Sequence, residues 1–261
     1  MRALPPNKNG RAIVANTLHP EYNPLILKLD SIFTLTDDER QALLNLPMQV
    51  VVIKEKQDIV RAGDRPSRSC LLLSGFAYVY KVTGDGKRQI AGFSIAGDMP
   101  DLQSLHLQVL DNSVSTLTPC RVGFIPHEAL HDICERYPQI TSAFWRETLI
   151  DAAIFREWVT NIGQREAYTR MAHVYCELMV RLRAVGLADD HSCDLPITQA
   201  EFADAIGAST VHVNRVLQEM RANGLIVTKG TQVTIPDWET LKRAGDFDPT
   251  YLHMRKAQAA A

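Results

Sequence analysis

The sequence lacks the features that mark secreted, disulfide-stabilised and membrane proteins. Its five cysteines are scattered, with no two of them in a C-x-x-C pair, which argues against a disulfide framework and a thiolate zinc site. No stretch approaches ~18 uninterrupted apolar residues, and Met1 to Thr17 holds no apolar run of signal-peptide length. We therefore expect a cytoplasmic protein in a reducing compartment, with no membrane partner.

An excess of positive charge is also absent. Lys and Arg number 28 and Asp and Glu number 30, so the formal net charge is −2. No overall field therefore attracts the chain to nucleic acid or to an anionic membrane. With 46% hydrophobic and 22% charged residues, the composition is that of a globular protein, and 261 residues are enough for two modest domains.

The residue patterning changes four times along the chain. Short β-type runs separated by turn residues predict a sandwich or barrel in the first half, preceded by a short helix that begins at a Thr36–Glu39 capping box. Helical periodicity dominates after Pro138. The predicted segments are a flexible N-terminal arm (1–22), a β-rich domain (23–136), a long helix (137–165), a second, mainly helical domain (166–245) and a flexible tail (246–261).

The long helix carries an apolar stripe. Ile150, Ile154, Trp158 and Ile162 recur at every fourth residue. Packing of the helix on its own domain explains such a stripe. A helix that joins two domains is also well placed to pair with its twin in a dimer, and we favour a helix that does both.

Residues 197–226 have the pattern of a helix-turn-helix. Thr198 and Glu201 form a capping box that begins one helix. Gly207 offers the left-handed conformation that ends it, and Ser209 can cap the next helix. The positions that face a shared core are small or apolar, namely Phe202, Ala203, Ile206, Val213 and Val216.

The outer face of the second helix suggests contact with DNA. Val211, Asn214, Arg215 and Gln218 recur at i, i+3, i+4 and i+7 on that face, and an outward valine is unusual where a helix meets only water. The alternative is an ordinary helical hairpin whose outer face is only solvated. The first turn of the second helix contains no acidic residue, which argues against that alternative. Since Arg165 to Gly245 holds nine basic and ten acidic residues, charge alone does not suggest DNA.

Several motifs together resemble the Crp/Fnr family of transcription regulators. Gly63-Asp64 ahead of Cys70-Leu71-Leu72-Leu73-Ser74-Gly75 is similar to the family's entry into its barrel, and Gly97-Asp98 to its second glycine-aspartate corner. Asn223-Gly224-Leu225-Ile226 leads into a wing. The resemblance extends from about Asn23 to Gly245.

This resemblance implies an α+β fold and a regulator that is not an enzyme. The fold comprises an N-terminal double-stranded β-barrel of the jelly-roll, cyclic-nucleotide-binding-like kind, which would act as a sensor domain, a long dimerisation helix and a C-terminal winged helix-turn-helix. A homodimer would place two recognition helices in successive major grooves of a palindromic site in double-stranded DNA, ~34 Å apart. RNA polymerase is a further candidate partner.

Two departures separate the sequence from well-known branches of the family. Where cyclic-AMP-binding members carry Gly-Glu and Arg-Ser pairs, this chain reads Pro100-Asp101-Leu102-Gln103 and Leu110-Asp111-Asn112-Ser113. A cyclic phosphate without its arginine would be repelled by Asp111. Oxygen-sensing members hold an iron–sulfur cluster with an N-terminal cysteine group, whereas the first cysteine here is Cys70. We expect neither ligand, and no cofactor.

The resemblance also assigns the residues that contact DNA. Val211-x-x-Asn214-Arg215 is similar to the family's Glu-x-x-[Ser/Gly]-Arg. Arg215 suits guanine, with a discrimination of ~1–3 kcal/mol, Asn214 suits adenine or a phosphate, and Val211 suits a thymine methyl group. Gln218 completes the base-reading set. The phosphate-binding candidates, which position the protein without specifying sequence, are Thr198, Gln199, Ser209, Thr210, His212 and Lys229.

Two further interpretations concern the β-rich domain. As a sensor, it would bind an unidentified small-molecule effector through polar groups near a pocket mouth, which are Asp98, Asp101, His106, Asp111 and Asn112. Phe76, Tyr78 and Tyr80 share a strand face and are either pocket or core. As a cupin-like, metal-dependent β-barrel enzyme, it would need clustered histidines and a carboxylate. His106 and the i, i+4 pair His127 and His131 are the available ligands, and a solvated helix face is the alternative for that pair.

Overall fold

Two antiparallel sheets form the N-terminal barrel in this computed structural model, which describes residues 23–255. One sheet has the strand order β1-β7-β3 and the other β2-β6-β4-β5. The strands are β1 (Gln49–Ile53), β2 (Asp58–Val60), β3 (Arg68–Ser74), β4 (Ala77–Val82), β5 (Arg88–Ser94), β6 (Ser113–Thr116) and β7 (Cys120–Pro126). Five of them coincide with apolar runs of the sequence. The strands β2 and β6 are too short to show a period.

The strand β4 separates two hydrophobic clusters. Ala77 and Val79 face the barrel interior, whereas Phe76, Tyr78 and Tyr80 pack in a larger core shared with the helices. The aromatic residues are therefore core residues, which was one of the two interpretations of their alternation.

Four helices surround the barrel or leave it. They are α1 (Pro24–Ile32), α2 (Asp37–Leu44), α3 (His127–Arg136) and α4 (Pro138–Gln164). The capping box predicted for α2 is present, with both the Thr36 and the Glu39 side chains accepting backbone N–H groups. The helix α1 lies against the corner at Gly97, where a Cβ atom would stand 2.5 Å from the Pro24 carbonyl oxygen and φ is +99°. Only glycine therefore fits at this corner.

The long helix α4 has two apolar stripes. Three members of the stripe visible in the sequence, Ile150, Ile154 and Trp158, are buried against the rest of the chain, and the fourth, Ile162, is partly buried. A second stripe is exposed and includes Trp145, Leu149, Phe155 and Val159. The sequence pattern did not separate the two stripes, because together they cover most of the helix circumference.

The second domain follows α4 directly. Its helices are α5 (Ala167–Ala184), α6 (Gln199–Ile206), α7 (Thr210–Ala222) and α8 (Trp238–Ala244). A sheet of order β8-β10-β9 completes it, formed by β8 (Ser192–Asp194), β9 (Val227–Lys229) and β10 (Gln232–Thr234). The predicted hairpin is the β9–β10 pair. The strand β8 was not predicted.

The predicted flexible tail is wrong for residues 246–255, which are folded. Pro249–Leu252 forms a 3₁₀ turn, and Leu252 is only 1% exposed. The Tyr251 hydroxyl donates to Glu177 of α5 at 2.8 Å, and the Arg255 amide donates to the Ser31 carbonyl of α1 at 2.8 Å. Isolated apolar residues in a polar segment show no period, so their burial could not be read from the sequence. The predicted arm (1–22) and the end of the tail lie outside the described residues.

Candidate functional site

The helix-turn-helix has the local geometry that its sequence predicts. The Thr198 hydroxyl accepts a hydrogen bond from the Glu201 backbone N–H at 3.3 Å, and the Glu201 carboxylate accepts one from the Thr198 backbone N–H at 2.7 Å. Gly207 adopts φ +64° and ends α6. The Ser209 hydroxyl accepts the His212 amide at 3.2 Å and caps α7. Because these bonds are local, the turn between the two helices is set by its own residues.

The inner face of the motif is packed as predicted. The side chains expected in the shared core are buried, namely Phe202, Ala203, Ile206, Val213 and Val216. Phe202 also contacts Phe93 of the barrel, with ring centroids 6.4 Å apart. The motif therefore packs within its own domain and also contacts the barrel.

The outer face of α7 is open to solvent. Val211 is 83% exposed, and Asn214, Arg215 and Gln218 are also exposed. The Arg215 Nη2 atom lies 2.8 Å from Nδ1 of His212, an arrangement in which a neutral imidazole accepts from the guanidinium. All four predicted base-reading residues thus lie on one accessible helix face.

The phosphate candidates lie around this face. Ser209, Thr210 and His212 are at the N-terminus of α7, where unpaired N–H groups and the helix dipole favour anions. Thr198 and Gln199 begin α6, and Lys229 ends β9 in the wing. All six are exposed except Gln199 and His212, which are partly buried.

Two acidic residues missed by the sequence pattern lie in the same region. A groove beside α7 is lined by Glu166 and Glu219 as well as by Arg170, His212 and Arg215. Their carboxylates reduce any positive potential near the outer face of α7. The long separation of Glu166 from α7 along the chain hid this proximity.

A cavity of about 350 Å³ lies between β4, β5 and α4. Three of the predicted effector-binding residues line it, namely Asp98, Asp111 and Asn112. The other two lie elsewhere. Asp101 is fully buried and accepts the Cys70 amide at 2.8 Å, and burial raises the pKa of its carboxyl to about 6. His106 is exposed, and its ring packs 5.8 Å from that of His131.

Asp98 belongs to a buried ion cluster. Its carboxylate lies 2.9 Å from Lys28 Nζ of α1 and 2.8 Å from Arg181 Nη2 of α5. Burial opposes ionisation of Asp98, but Lys28 and Arg181 prevail and hold its pKa below the usual range. The cluster joins the glycine-aspartate corner to both neighbouring helices. Asp98 therefore has a structural role at the cavity wall.

The histidines do not form a metal site. Within residues 23–255 there is no group of three or more histidine, cysteine, aspartate or glutamate residues that could hold a metal ion. Burial is the largest cause that lowers the pKa of His127, and the neighbouring His131 and His106 lower it further. The Nε2 atom of His127 lies 3.1 Å from the Ser104 hydroxyl. In the same part of the chain, no helix has the length and apolar character needed to cross a bilayer.

Two protein-family models match the chain in the order of its domains. The cyclic nucleotide-binding domain matches residues 50–137, and the Crp-like helix-turn-helix domain matches residues 169–244. The fumarate and nitrate reduction regulatory proteins of Escherichia coli (strain K12) and Salmonella typhimurium are each 23% identical over 209 residues, which is 80% of this chain and 83% of theirs.

Solved structures share the fold. FixK2 from Bradyrhizobium japonicum has a TM-score of 0.69 at 19% identity, covering 76% of this chain and 98% of FixK2. The c-di-GMP-responsive regulator CLP of Xanthomonas campestris has a TM-score of 0.60 at 17% identity, covering 77% of this chain and 99% of CLP. The fumarate and nitrate reduction regulatory proteins and CLP are regulators by name, and the cupin-like enzyme is not supported. With both domains matched in order and the helix-turn-helix geometry in place, the chain belongs to the Crp/Fnr family of DNA-binding transcription regulators, which are not enzymes.

Proposed function

We propose that the chain acts as a homodimer that reads a palindromic DNA site through α7. The observation that carries this proposal is the outer face of α7, on which Val211 is 83% exposed while Val213 and Val216 are buried. A helix that is packed on one side and open on the other can enter the ~12 Å wide major groove without unfolding any part of the domain.

The base-reading roles follow from the chemistry of each side chain. Arg215 has a planar fork that matches the two acceptors of guanine, and Asn214 can pair with adenine. Val211 provides a methyl surface for thymine but accepts no hydrogen bond from cytosine. Gln218 lies two turns along the same face and would reach a neighbouring base pair.

The phosphate candidates would fix the position of α7 on the duplex. Thr198, Ser209 and Thr210 lie at helix N-termini, where backbone N–H groups and hydroxyls can donate to phosphate oxygens. Gln199 and His212 are adjacent to them, and Lys229 extends from the wing. Such contacts add affinity without sequence preference.

The exposed stripe of α4 supports the homodimer. Trp145, Leu149 and Val159 are large apolar residues on one helix face that are 68%, 55% and 73% exposed within the described residues, and Phe155 on the same face is 40% exposed. Together with Ala152 they recur at three- and four-residue spacing, the period of a helix that pairs with a second copy of itself. A two-fold axis along this stripe would present two α7 helices to one duplex.

Selection from random DNA tests the proposal. Purified protein should enrich sites with two inverted half-sites whose centres are about one helical turn apart. Enrichment of a single unrepeated half-site would contradict the dimer, and absence of any enriched sequence would contradict specific reading. Transcription of a bound promoter with purified RNA polymerase, run with and without the protein, would then separate activation from repression. A DNA target would also place the protein in the cytoplasm.

A further inference from the structure

The cavity between the barrel and α4 has the size of a small-molecule site. Its volume of about 350 Å³ lies in the range of ~300–1,000 Å³ that is usual for such sites. Its walls are mainly apolar and include Val79, Phe93 and Phe155. A ligand here would contact three parts of the chain at once, because Arg181 of α5 also lines the cavity.

The basic side chains of the cavity are already paired. Lys81 Nζ lies 2.8 Å from the Asp111 carboxylate. Arg181 Nη2 lies 2.8 Å from Asp98, and its Nη1 lies 3.1 Å from Glu177. An anionic ligand would have to compete with these carboxylates for each cation. The cavity therefore offers no ready site for a phosphate or a carboxylate.

One carboxyl group of the cavity is unpaired. Asp151 of α4 lines the wall one turn before Phe155 and forms no hydrogen bond or ion pair with the residues that the structure describes. The charged groups around it are Glu147 on its own helix, Lys28 of α1, Asp98 of the barrel and Arg181 of α5. Burial, and next the charge of Glu147, raise the pKa of Asp151 to about 8. The raised pKa favours the neutral carboxyl, and the charges of Lys28 and Arg181 act in the opposite direction without an ion pair to Asp151.

A second unpaired group lies in the same wall. Arg181 is buried, and its Nε–H has no acceptor among the described residues. A buried donor without a partner costs free energy that a ligand oxygen can recover. Because Asp98 and Glu177 flank this guanidinium, a neutral oxygen suits the position better than a charged one.

We infer that the cavity binds a small organic cation, an amine whose ammonium group pairs with Asp151 and whose apolar body packs against Phe155 and Val79. This assigns the sensor domain a ligand of the opposite charge to a cyclic nucleotide. A ligand that also engages Arg181 would link the barrel to the DNA-binding domain. That link rests on the proposed function, whereas the binding itself does not.

Calorimetry on the full chain without DNA tests the inference. The probes are 2-phenylethylamine and hexylamine, together with the alcohol and the carboxylate of each carbon skeleton. The amines should bind, the alcohols should bind at least tenfold more weakly, and the carboxylates should not bind. Because the raised pKa favours the neutral carboxyl and pairing with an ammonium ion requires the carboxylate, binding at pH 7 should release protons, up to one per site. The amine affinity should accordingly rise by up to tenfold per pH unit between pH 6 and pH 8. Proton release is measured from the dependence of the heat on the buffer.

Two aspartate variants make the test specific. Asp151→Asn should weaken amine binding at least tenfold and abolish proton release, and Asp151→Ser provides a second test if the first variant folds poorly. Asp132→Asn changes an exposed acid of α3 outside the cavity and should leave both quantities unchanged. Tighter binding of a carboxylate, binding of none of the six probes, or unchanged amine affinity in both Asp151 variants would overturn the inference. None of these results depends on DNA, so the proposed function stands or falls separately.

Discussion

Arg88 of the barrel and Asp204 of the helix-turn-helix form an ion pair between the two domains, with Nη2 of Arg88 2.7 Å from Oδ2 of Asp204. The same guanidinium donates to the Tyr78 hydroxyl at 2.7 Å. Next to this pair, the Gln89 amide donates to the Ala205 carbonyl at 3.2 Å. The helix α6 is therefore held against β5 by side chains from two adjacent residues of that strand.

We predict that this ion pair stabilises the docked position of the DNA-binding domain by a modest amount. Both side chains are about one-third exposed, so solvent screens the pair, and a coupling of ~0.2–1 kcal/mol is expected. A double-mutant cycle with Arg88→Ala and Asp204→Ala, measured as the free energy of unfolding, gives the coupling directly. Faster hydrogen exchange of α6 amides should accompany both single variants. The exchanged pair Arg88→Asp with Asp204→Arg should restore slow exchange, and a coupling of zero would refute the prediction.

Local motifs were predictable from the sequence because their partners are close along the chain. The capping boxes at Thr36 and Thr198 and the turn at Gly207 each depend on residues three or four positions apart. The buried cluster was not predictable, since Lys28 and Arg181 reach Asp98 across 70 and 83 residues. The same limit applies to the cavity. The corner motif indicated Asp98, but no local pattern connects it to Asp151 on α4.

The folded end of the chain should contribute to stability. Leu252 is 1% exposed in the segment that runs from the second domain back towards α1. We expect Leu252→Ala to lower the free energy of unfolding by ~2–4 kcal/mol, because it leaves a cavity in a packed region. Urea denaturation measures the change. Leu107→Ala, the same substitution at a leucine that is 52% exposed, is the matched control and should cost well under ~1 kcal/mol. A loss of less than ~0.5 kcal/mol for Leu252→Ala would mean that this segment is not packed in solution.

The exposed stripe of α4 predicts the behaviour of a charge substitution. Val159 is 73% exposed within its own chain, so Val159→Glu should leave the fold of each protomer intact. At a helix pair the new carboxylates would be buried near each other, which opposes association. Sedimentation should shift from twice the chain mass of 29.2 kDa towards the single chain. The affinity for DNA should fall as the dimer dissociates, because separate monomers then bind the two half-sites independently.

A valine on the barrel provides the control for this experiment. Val52 of β1 is 72% exposed, nearly the same as Val159, and carries the same side chain. Val52→Glu should therefore retain the dimer and the affinity for DNA. Equal sedimentation of the two variants would show that α4 is not the dimer contact.

Substitutions of Arg215 and Lys229 should have different effects on DNA binding. Arg215→Ala removes the guanine fork and should cost ~1–3 kcal/mol at one base pair per half-site, which relaxes specificity at that position. Lys229→Ala removes a phosphate contact and should weaken binding to all sequences similarly. It should also reduce the slope of log affinity against log salt by ~0.9 per lost contact. Affinities for the selected site and for each single-base variant of it, measured at several salt concentrations, separate the two effects. Arg136→Ala, at the end of α3, should change neither quantity. If Arg215→Ala instead weakened all sequences alike, Arg215 would be a phosphate contact, and the base-reading role would pass to Asn214 and Gln218.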